Sequence, residues 1–152
     1  MLSEMEDDEL WRLAHEAAGT DCLDFDVSSI PEILSVVLTV ELVQGIIDNG
    51  GVELLIGPEL PQGLKYSDCS RAFKLIESWL CAQVLDDVLG AFPDGMPSES
   101  PQARAASLDW LLDTKRELFE QASQAFWDSS ALNYAAALRL LRANPEVLNV
   151  EA

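Results

Sequence analysis

The sequence predicts an all-α protein: a single compact domain, residues 1–152, of about five main helices plus short turns. Three observations carry this. Apolar residues recur with helical period in five segments, no segment alternates as a strand, and 152 residues is the size of one ordinary domain. A chain of this length buries roughly 70% of its unfolded surface, so one core can hold it without disulfides or metals.

Ser3 and Glu6 have the S-x-x-E spacing of a capping box for a first helix over about 4–18, and Gly19 supplies its stop. Leu2, Leu10, Leu13, Ala14 and Ala17 fall on one face of it. The second helix, about 31–48, is expected to be capped by Ser28 or Ser29, with Pro31 in its first turn. Ile33, Leu34, Val36, Val37, Val40, Leu42, Val43, Ile46 and Ile47 surround most of its circumference, which marks a central, buried helix. Asn49-Gly50-Gly51 ends it through left-handed backbone geometry, and a short helical turn at 52–56 precedes a loop with Pro58, Pro61 and Gly63.

Ser67 or Asp68 opens a third helix, about 69–89, with Phe73, Ile76, Leu80, Val84 and Val88 at core spacing. Residues 93–101 hold three prolines and a glycine and are read as a flexible internal loop. Ser100 and Pro101 start a fourth helix reaching about 126, with Leu108, Leu111, Leu112, Leu118, Phe119 and Phe126 inward. Ser129 or Ser130 caps a fifth, which ends near Asn144-Pro145. No internal repeat, sustained heptad run or second domain is visible.

The formal net charge is −18, and it is unevenly spread: fourteen acids face a single base, Arg12, before Lys65, against thirteen acids and eight bases from Lys65 onward. Direct phosphate contact needs a basic surface, so no direct nucleic-acid partner is expected, and anionic membranes are disfavoured on the same ground. What an acidic surface attracts is a basic one. The N-terminus is acidic where a secretory leader would be basic. The apolar run 33–47 carries Glu41 and Gln44 and reads as too short and too polar to span a bilayer. Cys69 and Cys81, taken on one helix, would stand about 18 Å apart, too far to bridge. A cytoplasmic location with reduced thiols is the expectation.

No catalytic residue, cofactor or metal is assigned. His15 is the only histidine; no motif offers it a nucleophile or a metal, and a place on a helix at the core rim is expected. Residues 4–9 lack the register and turn glycine of a calcium loop. Asp86 and Asp87 are adjacent, so on a helix they diverge by about 100° and cannot share a proton. Gly50-Gly51 lacks the Lys-Ser/Thr pair and preceding strand of a phosphate loop.

Glu41, Gln44 and Asp48 form one polar stripe on the otherwise apolar second helix, beside Asn49. Either the stripe reaches solvent or satisfies backbone groups of the following loop, or it organises that loop and receives a ligand. Charge supplies a separate reading. Duplex DNA carries a charge about every 3.4 Å along each strand, and helix positions three or four apart lie about 5–6 Å apart. Carboxylates on helices and loops can therefore imitate a phosphate array.

The ordered set Glu41-Leu42-Val43-Gln44-Gly45-Ile46-Ile47-Asp48-Asn49-Gly50-Gly51, Ala72-Phe73-Lys74-Leu75-Ile76 with Val84-Leu85, Phe92-Pro93 and the loop to Arg104, and Glu117-Leu118-Phe119-Glu120-Gln121-Ala122 through Phe126-Trp127 resembles the bacterial family of the DNA-mimic protein described in Neisseria. That family is otherwise a domain of unknown function. The resemblance covers about 35–147. It departs after the two glycines, where the family has an aromatic, a polar residue and another aromatic, and this chain has Val52-Glu53-Leu54-Leu55.

The resemblance implies an all-helical fold and an acidic surface that engages a DNA-binding protein. With the charge, it gives the leading expectation: a non-enzymatic protein that occupies the DNA-binding surface of a transcription factor or other basic protein. The acids with little local compensation are Glu4, Asp8, Glu9, Glu16, Asp21, Asp24 and Asp26, although Asp8 is expected to pair with Arg12. The family-motif polar cluster is Glu41, Gln44, Asp48, Asn49, Gly50 and Gly51. The alternatives are an immunity-type inhibitor of a basic toxin and, third, an enzyme using the Glu41–Asn49 stripe.

Overall fold

In a computed structural model of the chain, describing residues 2–19, 26–57, 60 and 63–148, one apolar helix organises everything else. This is α2 (Glu32–Gly50), whose residues from Leu34 to Val40 are all buried. It packs against α1 (Asp7–Ala18), α3 (Val52–Ile56), α4 (Tyr66–Leu75), α7 (Arg116–Asp128) and α8 (Ser130–Ala143). Such a helix is apolar on nearly every side because it has neighbours on nearly every side. By length and composition alone α2 is also long and apolar enough to cross a membrane, which corrects the expectation drawn from the shorter run 33–47.

The remaining α-helices are α5 (Trp79–Gly90), packed on α4 and α7, and α6 (Pro101–Thr114), at the periphery against α3 and α7. The fold is all-α as expected, with eight α-helices among the described residues rather than five main ones. The short turn expected at 52–56 is α3, and two long helices are each broken.

The expected helix 69–89 divides after Leu75. Glu77 stands at φ 63, and the Ser78 and Glu77 N–H groups donate to Phe73 O (2.9 Å) and Lys74 O (3.0 Å). This is the Schellman pattern of hydrogen bonds, with a glutamate where a glycine usually takes the left-handed position. The break turns Leu80 out to 63% exposure instead of placing it in the core, while Phe73 and Val88 are fully buried as expected. Cys69 and Cys81 consequently sit on different helices, both buried and free.

The expected helix 101–126 breaks at Lys115 (φ −136). Just before it, the Thr114 hydroxyl donates to Trp110 O at 2.8 Å, a back-bond that bends helices. Ser100 caps α6 through its hydroxyl, accepting from Ala103 N–H at 3.4 Å, with Pro101 in the first turn as expected.

Local capping is otherwise replaced by long-range contact. The Ser3–Glu6 box does not form: Leu2–Glu4 is a 3-10 turn, and α1 begins after Glu6 with no side-chain cap. Arg142, at the end of α8, instead donates to Leu2 O (3.2 Å) and Met5 O (2.9 Å) and pairs with Asp7 (2.9 Å). Gly19 ends α1 in the left-handed conformation as expected. Val27–Ser29 is a 3-10 turn rather than the cap of α2, where Pro31 takes the N-cap position. Neither Ser67 nor Asp68 opens α4, which starts at Tyr66 with Asp68 accepting the Lys65 N–H at 2.9 Å. Likewise Ser129 precedes α8 without a side-chain cap.

Candidate functional site

The centre of the polar stripe of α2 is closed inside the fold, and its Asp48 end is exposed. Gln44 is fully buried, its Nε2 donating to Asp48 Oδ1 (2.8 Å) and to Phe126 O (3.0 Å). Its Oε1 accepts from Asn133 Nδ2 at 2.8 Å, and Asn133 also donates to Cys81 Sγ at 3.5 Å. Asp48, exposed at one edge, accepts from the Ser130 hydroxyl at 2.7 Å. Phe126 O lies in the last turn of α7, where carbonyls lack partners within the helix. The stripe therefore locks the α7–α8 junction onto α2, and that junction, not the loop after α2, is what covers it.

The glycine motif is a structural corner. Asn49 Nδ2 donates to Gly45 O at 2.9 Å, Gly50 is the last residue of α2, and Gly51 takes φ 83, ψ 176, a conformation open essentially to glycine alone. A Cβ on Gly51 would also lie 2.9 Å from the Glu53 carboxylate. The Val52 N–H then donates to the Ser123 hydroxyl (2.9 Å), and Trp127 Nε1 donates to Ile47 O (2.8 Å). Of the two positions where the family pattern has aromatics, Val52 is fully buried and Leu54 lies outside, while the following Leu55 and Ile56 are fully buried on an element packed against α7 and α6.

Glu41, the N-terminal member of the stripe, has a different partner. Its Oε1 lies 2.6 Å from His15 Nε2, across the α1–α2 contact, with both side chains largely buried. Burial raises the Glu41 carboxyl above its ordinary range, and His15 opposes that rise. His15 Nδ1 is buried without a hydrogen-bond partner among the described residues. The single histidine is thus at the core rim, as expected, with a buried acid as its neighbour.

The candidate acids divide once their surroundings are visible. Arg12 binds Glu9 and Glu16 (2.7 Å to Glu16) rather than Asp8, so neither Glu9 nor Glu16 is uncompensated. Arg12 also holds the Glu9 carboxyl below its ordinary range. Asp26 is half-buried and already engaged, and Asp21 and Asp24 lie outside the described residues.

Glu4 and Asp8 remain exposed, joined by Glu6 and Asp7 around an open concavity whose one base among the described residues is Arg142. Those four acids fall within five residues, from the end of a 3-10 turn into the first turn of α1. Glu6 and Asp7 are not among the acids singled out from the sequence, since negative charge in the first turn of a helix is already accounted for by the helix dipole. A second exposed set, Asp109 and Asp113 on α6 with Glu117 and Glu120 on α7, was also passed over, because Lys115 and Arg116 stand between the two pairs.

One further feature was invisible in the sequence. Arg104 is 5% exposed, and its Nε donates to Ile56 O (2.9 Å) while Nη1 donates to Ser98 O (2.9 Å) and Glu99 O (3.4 Å). It lines a cleft of about 380 Å³ together with Leu64, Lys65, Tyr66, Met96 and Glu99. No group of His, Cys, Asp and Glu suited to a metal occurs among the described residues. No family model, curated protein or solved structure matches the chain.

Proposed function

We propose that this chain is a non-enzymatic acidic binding protein that occupies the DNA-binding surface of a basic partner, most concretely a transcription factor. The observation that carries the reading is the rim Glu4, Glu6, Asp7 and Asp8. Four exposed carboxylates surround a concavity in which Arg142, the sole base among the described lining residues, is already held by Asp7 and two backbone carbonyls. Like charges at such density repel one another and weaken the folded state, and a basic partner turns that repulsion into attraction.

The family resemblance supports the reading less directly. Of the residues that carry it, Gln44 and Asn49 to Gly51 are packing and turn residues here, so the likeness bears on the fold more than on the acidic face. The enzymatic alternative draws on the Glu41–Asn49 stripe, whose central Gln44 is buried and bonded to Phe126 O and Asn133, which favours a packing role for that residue. Inhibition of a basic toxin draws on the same rim and differs only in the partner.

The test is capture from lysate on the immobilised protein, followed by elution with duplex DNA. A basic DNA-binding protein released by the duplex is the expected result. Capture of a basic nuclease indicates the toxin-inhibitor reading. Capture that neither duplex DNA nor salt reverses contradicts an electrostatic mimic.

A further inference from the structure

Buried bases normally face a carboxylate, because an uncompensated charge out of water is expensive. Arg12, Arg71, Lys74 and Arg142 each pair with one, yet Arg104, the most enclosed base, has no ion pair among the described residues. Three carbonyls occupy its Nε and Nη1. Its Nη2 makes no hydrogen bond to a described residue, and Arg104 lines the cleft.

The rest of the cleft complements that charge. Lys65 adds a second cation at the rim, Ser67 a hydroxyl, and the Tyr66 phenol, which donates to Ile56 O at 3.1 Å, borders the guanidinium. Arg104 lowers and burial raises the Tyr66 pKa, burial being the larger effect. The cleft is also lined by Leu60, Leu64, Met96 and Pro97. In a protein with net charge −18, a concavity with two bases and one acid among its described lining residues is a local reversal of sign. Its volume, about 380 Å³, falls in the range of small-molecule sites.

We propose that the Arg104 cleft binds a small amphipathic anion, a carboxylate or phosphate monoester with a short apolar tail. The anionic head sits against Arg104 and Lys65 in charge-assisted hydrogen bonds, and the tail lies on Leu64, Met96 and Pro97. This site is separate from the acidic rim and does not depend on the proposed function.

Titration calorimetry of the full chain with hexanoate, hexyl phosphate and hexan-1-ol tests it. At least one anion is expected to bind about tenfold or more tightly than the alcohol, and which anion does so distinguishes the two head groups. Arg104 also holds backbone carbonyls, so its removal confounds binding with folding; two other variants carry the test. Lys65→Gln should weaken the anion about tenfold, with the alcohol unchanged. Met96→Trp should fill the cleft and abolish binding at an unchanged melting temperature, whereas Glu4→Gln/Glu6→Gln/Asp8→Asn should leave it intact. Equal affinity for anions and alcohol, no heat at about 10 mM anion, or undiminished binding by Met96→Trp overturns the proposal.

Discussion

Replacing Gln44 by leucine removes the centre of the network that joins α2 to the α7–α8 junction. Two buried groups lose their partner: Phe126 O, which loses the 3.0 Å bond from Gln44 Nε2, and Asn133 Nδ2, which keeps only a 3.5 Å contact to Cys81 Sγ. Asp48 is exposed and exchanges the lost bond for water. Each orphaned buried group costs about 1–3 kcal/mol, and the remaining contact to Cys81 keeps Asn133 near the lower end, so the variant should lose about 2–4 kcal/mol. In a chain of this size that lowers the melting temperature by roughly 5–15 °C.

Gln44→Leu/Asn133→Leu removes both ends of one of those bonds and should recover about 1–2 kcal/mol relative to additivity. Urea unfolding of the wild type, the two single variants and the double variant measures the cycle. A loss below about 1 kcal/mol, or strict additivity, refutes the network as drawn. Capture of the partner should be unchanged at temperatures where Gln44→Leu is folded. Loss of capture by a folded variant would return the stripe to functional status.

Two glycines of the second helix should respond in opposite directions. Gly45→Ala places a Cβ at ordinary contact, 3.7 Å from the Tyr134 hydroxyl, and should stabilise by about 0.5–1 kcal/mol through helix propensity. Gly51→Ala must enter a conformation reserved for glycine and should destabilise by about 1–3 kcal/mol; thermal melts check both. The raised Glu41 carboxyl means that the folded state takes up its proton at higher pH than the unfolded state. Its contribution therefore increases as pH falls through the folded value toward the ordinary carboxylate range, and fades above it. The stability of wild type relative to Glu41→Gln should improve on acidification from neutral pH, and a flat difference in pH-dependent urea titrations refutes the assignment. Burial, with Asp68 adding to it, pushes the Cys69 thiol up to about 12, and Cys81 is fully buried. Alkylation of the native protein at mildly alkaline pH, read by mass spectrometry, should leave both unmodified until denaturant is added.

Features that announce themselves locally were legible in the sequence. The apolar girth of α2, the buried face of α1 through Leu10 and Ala14, the Gly19 and Gly51 stops and the Ser100-Pro101 start all follow from residue type and spacing. The two helix breaks were not legible, because Glu77 takes a glycine's position and Lys115 carries no turn signal. With the first break unseen, Leu80 stayed in phase with the core instead of rotating outward.

Capping by Arg142 was hidden for another reason. The side chain reaches backbone 137 and 140 residues earlier in the chain, which no local pattern encodes. Arg104 reads as an ordinary surface base on a weakly amphipathic helix, and only the loop at Ser98 and Glu99 folding over it makes it buried. Among the acids, spacing allowed Arg12 to choose Asp8, Glu9 or Glu16. The choice fell on the latter two, which leaves Asp8 with the exposed rim.

The most direct test of the acidic-rim reading is the salt dependence of partner affinity, compared between wild type and Glu4→Gln/Glu6→Gln/Asp8→Asn. These three carboxylates belong to no ion pair among the described residues, so the variant should fold normally. If the rim occupies a DNA-binding surface, wild-type affinity falls steeply as salt rises, and the variant binds more weakly at low salt with a visibly shallower slope. Equal affinity and equal slope in the two proteins would contradict the reading.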